Sequence, residues 1–108
     1  MAKETRERRR MQIKKDLHQQ LKAKNLHQKY WYDLVDDYLS LFDNKEKLKY
    51  ELAKNGVMIT VKNGTQVFRK KNDAIVELPK ISKRMTDILL VLNIQSQDED
   101  GEDDDDDY

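Results

Sequence analysis

Four arginines fall within five positions, Arg6, Arg8, Arg9 and Arg10, and Lys14, Lys15, Lys22 and Lys24 follow them. Clustered cations of this kind neutralise phosphates and release the counterions condensed on a nucleic acid. The plainer alternative is a solvated charged helix. A second basic group, Lys62, Arg69, Lys70 and Lys71, lies further along the chain. It is a possible secondary DNA contact, although lysines also guard exposed strand edges against aggregation. Residues 98–107 hold nine acids and no base. That run can mimic a nucleic-acid backbone, dock on a basic partner, or serve only solubility.

Other residue types point away from catalysis. His18 and His27 are the only histidines, there is no cysteine, and their spacing does not suit a metal. Asp33, Asp36 and Asp37 lie on one short helical stretch with no histidine to converge with them. Gly56, Gly64 and Gly101 stand alone, so no glycine-rich loop can cradle a phosphate. No nucleophile–base pair is evident. Tyr30-Trp31-Tyr32 could stack on bases, but Trp31 fits an apolar helical stripe. Neither an enzyme nor a cofactor is expected.

The elements that must position these groups are mostly helical. Residues 1–10 contain almost nothing apolar and are expected to form a flexible basic arm. From Met11, the residues Ile13, Leu17 and Leu21 recur every fourth position and predict a helix to about Lys24. Trp31, Leu34, Val35, Tyr38, Leu39 and Phe42 predict a second helix over about 29–42. Asp43 with Glu46 three residues later resembles a capping box, so a third helix is expected over about 44–54, stopped by Asn55-Gly56. Val57–Val61 and Thr65–Arg69 then alternate around Asn63-Gly64, the preferred pair of a two-residue type I′ turn. That turn pairs Ile59 with Phe68 and Thr60 with Val67, within a hairpin over 57–69. Asn72-Asp73 suit the start of a last helix. Pro79 should break or kink it and open a longer segment over 79–93. Leu78, Ile81, Met85, Ile88 and Leu92 form a short heptad seam. Residues 95–108 are expected to be a disordered acidic tail.

The charge layout sharpens the partner class. The chain has 108 residues and no net charge. Residues 1–30 nevertheless carry ten bases against three acids, and the acids gather at the other end. A foldable centre of roughly 65 residues is marginal alone. Self-association is therefore expected, through Trp31, Tyr38 and the seam Leu78, Ile81, Met85, Ile88 and Leu92. The start of the chain lacks the apolar stretch of a signal peptide. The longest aliphatic run, Ile88–Leu92, is far short of the ~20 residues a membrane span needs. No membrane role is expected, and the protein should be soluble and intracellular.

In order along the chain, the basic Lys14-Lys15-Asp16-Leu17 with Gln20-Leu21, the run Tyr32-Asp33-Leu34-Val35-Asp36-Asp37-Tyr38-Leu39, the short charged helix, Asn55-Gly56-Val57, the Asn63-Gly64 hairpin, Lys70-Lys71-Asn72-Asp73-Ala74-Ile75, and Met85 to Ile94 resemble the small terminase subunits of Gram-positive-type tailed phages. Pro79 departs from that pattern, whose last helix is uninterrupted. The resemblance implies a mainly α subunit with one β-hairpin over residues 11–94, assembled as a homo-oligomer, commonly a ring. It implies binding to the packaging-initiation site of double-stranded viral DNA in the host bacterial cytoplasm, and recruitment or regulation of the large ATPase/nuclease subunit. Two other classes compete on the residues alone: a small dimeric DNA-binding transcription regulator, and a charged adaptor that meets only proteins.

Overall fold

The computed structural model describes residues 5–92; the acidic tail and residues 1–4 lie outside the described residues. Thr5 opens the fold. Its hydroxyl accepts from the Arg8 N–H at 3.1 Å, which satisfies one orphan donor of a helix start. The first helix, α1 (Arg6–Ala23), therefore begins inside the segment expected to be an arm. Arg6, Arg8, Arg9 and Arg10 are helical, because a cap precedes them and because α1 rests on a second helix there.

α1 closes near Lys24, where the apolar stripe predicted its end. Asn25 takes φ 63°, its N–H donates to Lys22 O, and the Leu26 N–H reaches back to Leu21 O at 2.9 Å. This is a Schellman closure, with asparagine in the left-handed position. Leu26 then packs on the core.

The second and third expected helices are one. α2 (Lys29–Asn55) runs 27 residues without interruption, about 40 Å at 1.5 Å per residue. Asp43 and Glu46 sit in its middle, so the capping box does not form. Their carboxylates face α1 instead and take cationic partners there. Gly56 ends α2 with φ 83°, the stop expected of Asn55-Gly56.

The hairpin consists of β1 (Met58–Asn63) and β2 (Gln66–Lys71), antiparallel. Its register differs from the expected one. Val61 pairs with Phe68, Thr60 with Arg69 and Asn63 with Gln66. Gly64 and Thr65 are the two turn residues, and only Gly64 has positive φ, at 64°. That is the arrangement of a type II′ turn, with glycine first, rather than type I′. The shift moves each partner by two residues, so the same residues still share a face.

Asn72 fastens the base of the hairpin to the last helix. It is 3% exposed. Its backbone N–H donates to Val57 O at 2.7 Å, its side-chain amide donates to Gly56 O at 2.9 Å, and its carbonyl oxygen accepts from the Ala74 N–H at 3.1 Å. One buried residue thus closes the strand ladder, holds the end of α2 and caps α3. Asp73, the neighbouring cap candidate, makes no side-chain cap bond.

α3 (Ala74–Val91) passes through Pro79 without a break. The proline removes only the donor to Ile75 O, and the helix start is already anchored by Asn72. α3 returns along α2, and its seam faces that helix. Met85 and Leu92 are buried within the chain, and Ile88 packs on the same core. The core itself joins Leu17 and Leu21 of α1, Val35 and Leu39 of α2, and Leu92. The seam residues expected at a subunit interface are thus largely engaged inside the subunit, because an unbroken α2 is long enough to give them a partner. Leu78 and Ile81 remain half-buried, as do Trp31 and Tyr38, which pack against the core from α2.

Replacing Asn72 with Ala leaves the half-buried Gly56 carbonyl and the Ala74 N–H without their side-chain partner, a cost of about 1–3 kcal/mol. Urea unfolding of Asn72→Ala should show a lower midpoint than wild type. Equal midpoints would mean that the two side-chain bonds of Asn72 contribute nothing, since the variant keeps the backbone bond to Val57.

Candidate nucleic-acid interface

α1 carries most of the residues expected to meet phosphate, and the structure divides them. Arg9 and Arg10 turn inward to α2. The Arg9 guanidinium donates to Glu46 Oε1 at 2.7 Å and lies over the Phe42 ring, 5.4 Å from its centroid. Arg10 Nε donates to both oxygens of Asp43, at 2.9 and 3.2 Å. Lys49 adds a longer interaction with Glu46 at 3.4 Å. Burial by itself would raise the Glu46 pKa, but the Arg9 hydrogen bond and the charges of Lys49 and Arg9 outweigh it and hold the carboxyl below its ordinary range. These two arginines are occupied in holding α1 against the middle of α2.

Arg8, Lys15 and Lys22 behave differently. They recur every seventh residue, so they lie on one face of α1, opposite the stripe of Leu17 and Leu21. All three are exposed, and none has an ion-pair partner among the described residues. The row spans about 21 Å along the axis. Gln19 and Gln12 flank it, the Gln12 amide donating to Asp16 Oδ1 at 2.9 Å, and Arg8, Met11, Gln12 and Lys15 line a shallow depression of about 200 Å³. Lys14 is exposed to one side of the row. Arg6 makes only a long ion pair with Glu7, at 3.9 Å, and Lys24 is half-buried at the helix end.

The second basic group sits on the hairpin, on two faces. Lys62, Arg69 and Lys71 share one side of the ribbon with Met58, Thr60 and Val67. Lys70 lies on the other side and pairs with Asp73 at 3.6 Å. Nothing brings these residues into the row on α1.

Two of the three clustered aromatics serve packing, while Tyr30 is exposed. Trp31 and Tyr32 pack against the core; Tyr32 meets His18 of α1 edge-on, with centroids 4.9 Å apart. His18 is therefore part of the α1–α2 junction. Burial raises the Tyr38 phenol pKa, as expected of a side chain half inside the core. Among the described residues there is no cluster of three potential metal ligands. No helix among them is long and apolar enough to cross a membrane.

Sequence reasoning missed the roles of Asp43 and Glu46; for Asn72 it gave the start of the last helix but not the bond to Gly56. The signal for the first two was present in principle: two acids three apart on a helix match two adjacent arginines on a neighbour. It was masked by the resemblance of the same two acids to a cap. The chain matches no family model, and comparison with curated proteins and with solved structures finds no similar chain.

The sign of the Glu46 shift sets a pH dependence. A carboxyl whose folded pKa is depressed contributes stability above its unfolded value, near 4.5, and loses it as pH falls through the folded value. Glu46→Gln should therefore be less stable than wild type near neutrality, on the order of 1 kcal/mol for a partly exposed pair. Thermal unfolding followed by circular dichroism should show that difference narrowing below about pH 4.5. A difference that persists unchanged into acid would remove the assigned role of the pair.

Proposed function

We propose that this protein is a DNA-binding assembly subunit of a phage packaging machine, a small terminase subunit. In this role it marks the packaging-initiation site of double-stranded viral DNA and recruits or regulates the large ATPase/nuclease subunit. The observation that carries the proposal is the row Arg8, Lys15 and Lys22 on the outer face of α1, without ion-pair partners among the described residues. Cations on a rigid helix, freed of internal partners, meet phosphate at low conformational cost, while Arg9 and Arg10 fix the orientation of that helix. Three such cations bind phosphate weakly in one subunit. Repetition in a homo-oligomer raises the effective concentration of the remaining cations once one subunit is bound. The order of elements keeps the basic helix, the hairpin and the closing helix of the resemblance to small terminase subunits, while its aromatic run and short charged helix are joined in α2.

The acidic tail fits the same role as a competitor for the row. Leu92, the last described residue, belongs to the same buried cluster as Leu17 and Leu21. Residues 98–107, with nine acids and no base, begin six positions later in the sequence. In this reading the negative charge of the tail competes with DNA for the cations of the row.

Salt-titrated binding to a duplex tests the row. Replacing Arg8, Lys15 and Lys22 together by Gln should lower the slope of log affinity against log salt by up to about 3, about 1 for each phosphate that is no longer neutralised. Removal of residues 98–108 should strengthen duplex binding at low salt, and unchanged affinity would eliminate the competing role of the tail. Native mass spectrometry separates the classes: many identical subunits favour packaging, two favour a transcription regulator. A lone monomer indifferent to duplex at low salt would overturn the proposal.

A further inference from the structure

We propose that the outer face of the hairpin is a second surface for the sugar–phosphate backbone of duplex DNA, distinct from the row on α1. This rests on the reading of the protein as a DNA binder, and it assigns to the ribbon a part of its own.

Strand alternation does the sorting. Ile59 and Val61 are the only half-buried residues of the hairpin strands, so the face they share with Phe68 and Lys70 is the one partly covered by the body. Lys70 has an acidic partner there, in an exposed ion pair with Asp73 at 3.6 Å. The opposite face holds Lys62, Arg69 and Lys71, all exposed and without an ion pair among the described residues. No acid lies between Gly56 and Asn72, so nothing within the ribbon offsets these charges. Lys71 stands at the base, opposite Met58; Arg69 stands midway, opposite Thr60; Lys62 stands near the tip, opposite Val67. The three levels cover roughly 13 Å at the rise of a strand. A duplex carries about one negative charge per 1.7 Å of axis, so each cation finds phosphate within that span. Thr60 adds a hydroxyl beside Arg69, of the kind that donates to phosphate oxygens. A two-stranded ribbon is also narrow enough to enter a major groove.

Guarding of a strand edge is the competing explanation for these lysines. It gives no reason for the cations to be sorted by face, and it treats Lys70 and Lys71 alike. Binding to DNA treats them differently, and the experiment uses that difference.

The full-length protein is titrated with a duplex at several salt concentrations, alongside Lys71→Gln, Arg69→Gln, Lys70→Gln and the triple variant Lys62→Gln/Arg69→Gln/Lys71→Gln. Each outer-face single variant should lower the salt slope by about 1, and the triple by about 3. Lys70→Gln should leave it unchanged. The singles carry the test if the triple variant does not fold. Wild-type binding with an unchanged slope in the outer-face variants overturns the second surface and leaves the row on α1 standing. Equal reductions for Lys70→Gln and Lys71→Gln also overturn it, because the face then makes no difference. A reduced slope in the hairpin variants, with none on neutralising Arg8, Lys15 and Lys22, supports the ribbon and removes the row. Absence of duplex binding by wild type overturns both.

Discussion

A helix of 27 residues in so small a chain has to be held along its length, and the continuity of α2 through Asp43 organises everything packed on it. Because the helix does not stop there, the two carboxylates of its middle turns project sideways and meet α1. Because it continues to Asn55, α3 has a full-length partner to return along, and Met85 and Leu92 find cover inside the subunit. The hairpin is carried to the far end of α2, away from the cluster of Leu17, Leu21, Val35, Leu39 and Leu92. A break at position 43 would detach the α1 ion pairs from the core and leave the seam on α3 exposed.

The distribution of cations follows from that continuity. Composition alone treats all four arginines near the start of the chain alike, yet charge–charge geometry separates them. A guanidinium at 2.7 Å from a carboxylate that is 14% exposed is engaged far more strongly than a lysine in free solvent, where exposed pairs contribute 0 to about 1 kcal/mol. Arg9 and Arg10 therefore act on binding only through the placement of α1, while Arg8, Lys15 and Lys22 keep their charge directed outward. Rigidity matters here as much as charge. Cations spaced along a helix give up less freedom on meeting a polyanion than the same residues on an arm.

The hairpin obeys another balance. Two strands alone are marginal in water, and every residue of β2 is exposed, including Val67 and Phe68. Its base is secured by Asn72, but its tip has little to rest on. Such an element opens locally at low cost, which suits a ribbon that adapts to a groove. Its apolar residues also leave it able to gain from a neighbour.

The helical class, the glycine stop at Gly56, the end of α1 near Lys24 and the hairpin were legible in the residues themselves, because each depends on local spacing or on a backbone conformation that only a few residue types accept. The strand register was not, since Asn63-Gly64 and Gly64-Thr65 both make acceptable two-residue turns and keep the same side chains on each face. The fate of Asp43 and Glu46 was open for a different reason: a carboxylate can cap its own helix or reach across to a neighbour, and only the arrival of Arg9 and Arg10 from α1 decides between them. The same holds for Pro79, tolerated because Asn72 secures the helix start from outside it, and for the seam on α3, whose partner is α2. Local chemistry set what each segment prefers; long-range pairings, separated by 33 and 37 residues at the two arginines, determined which cations were left facing solvent.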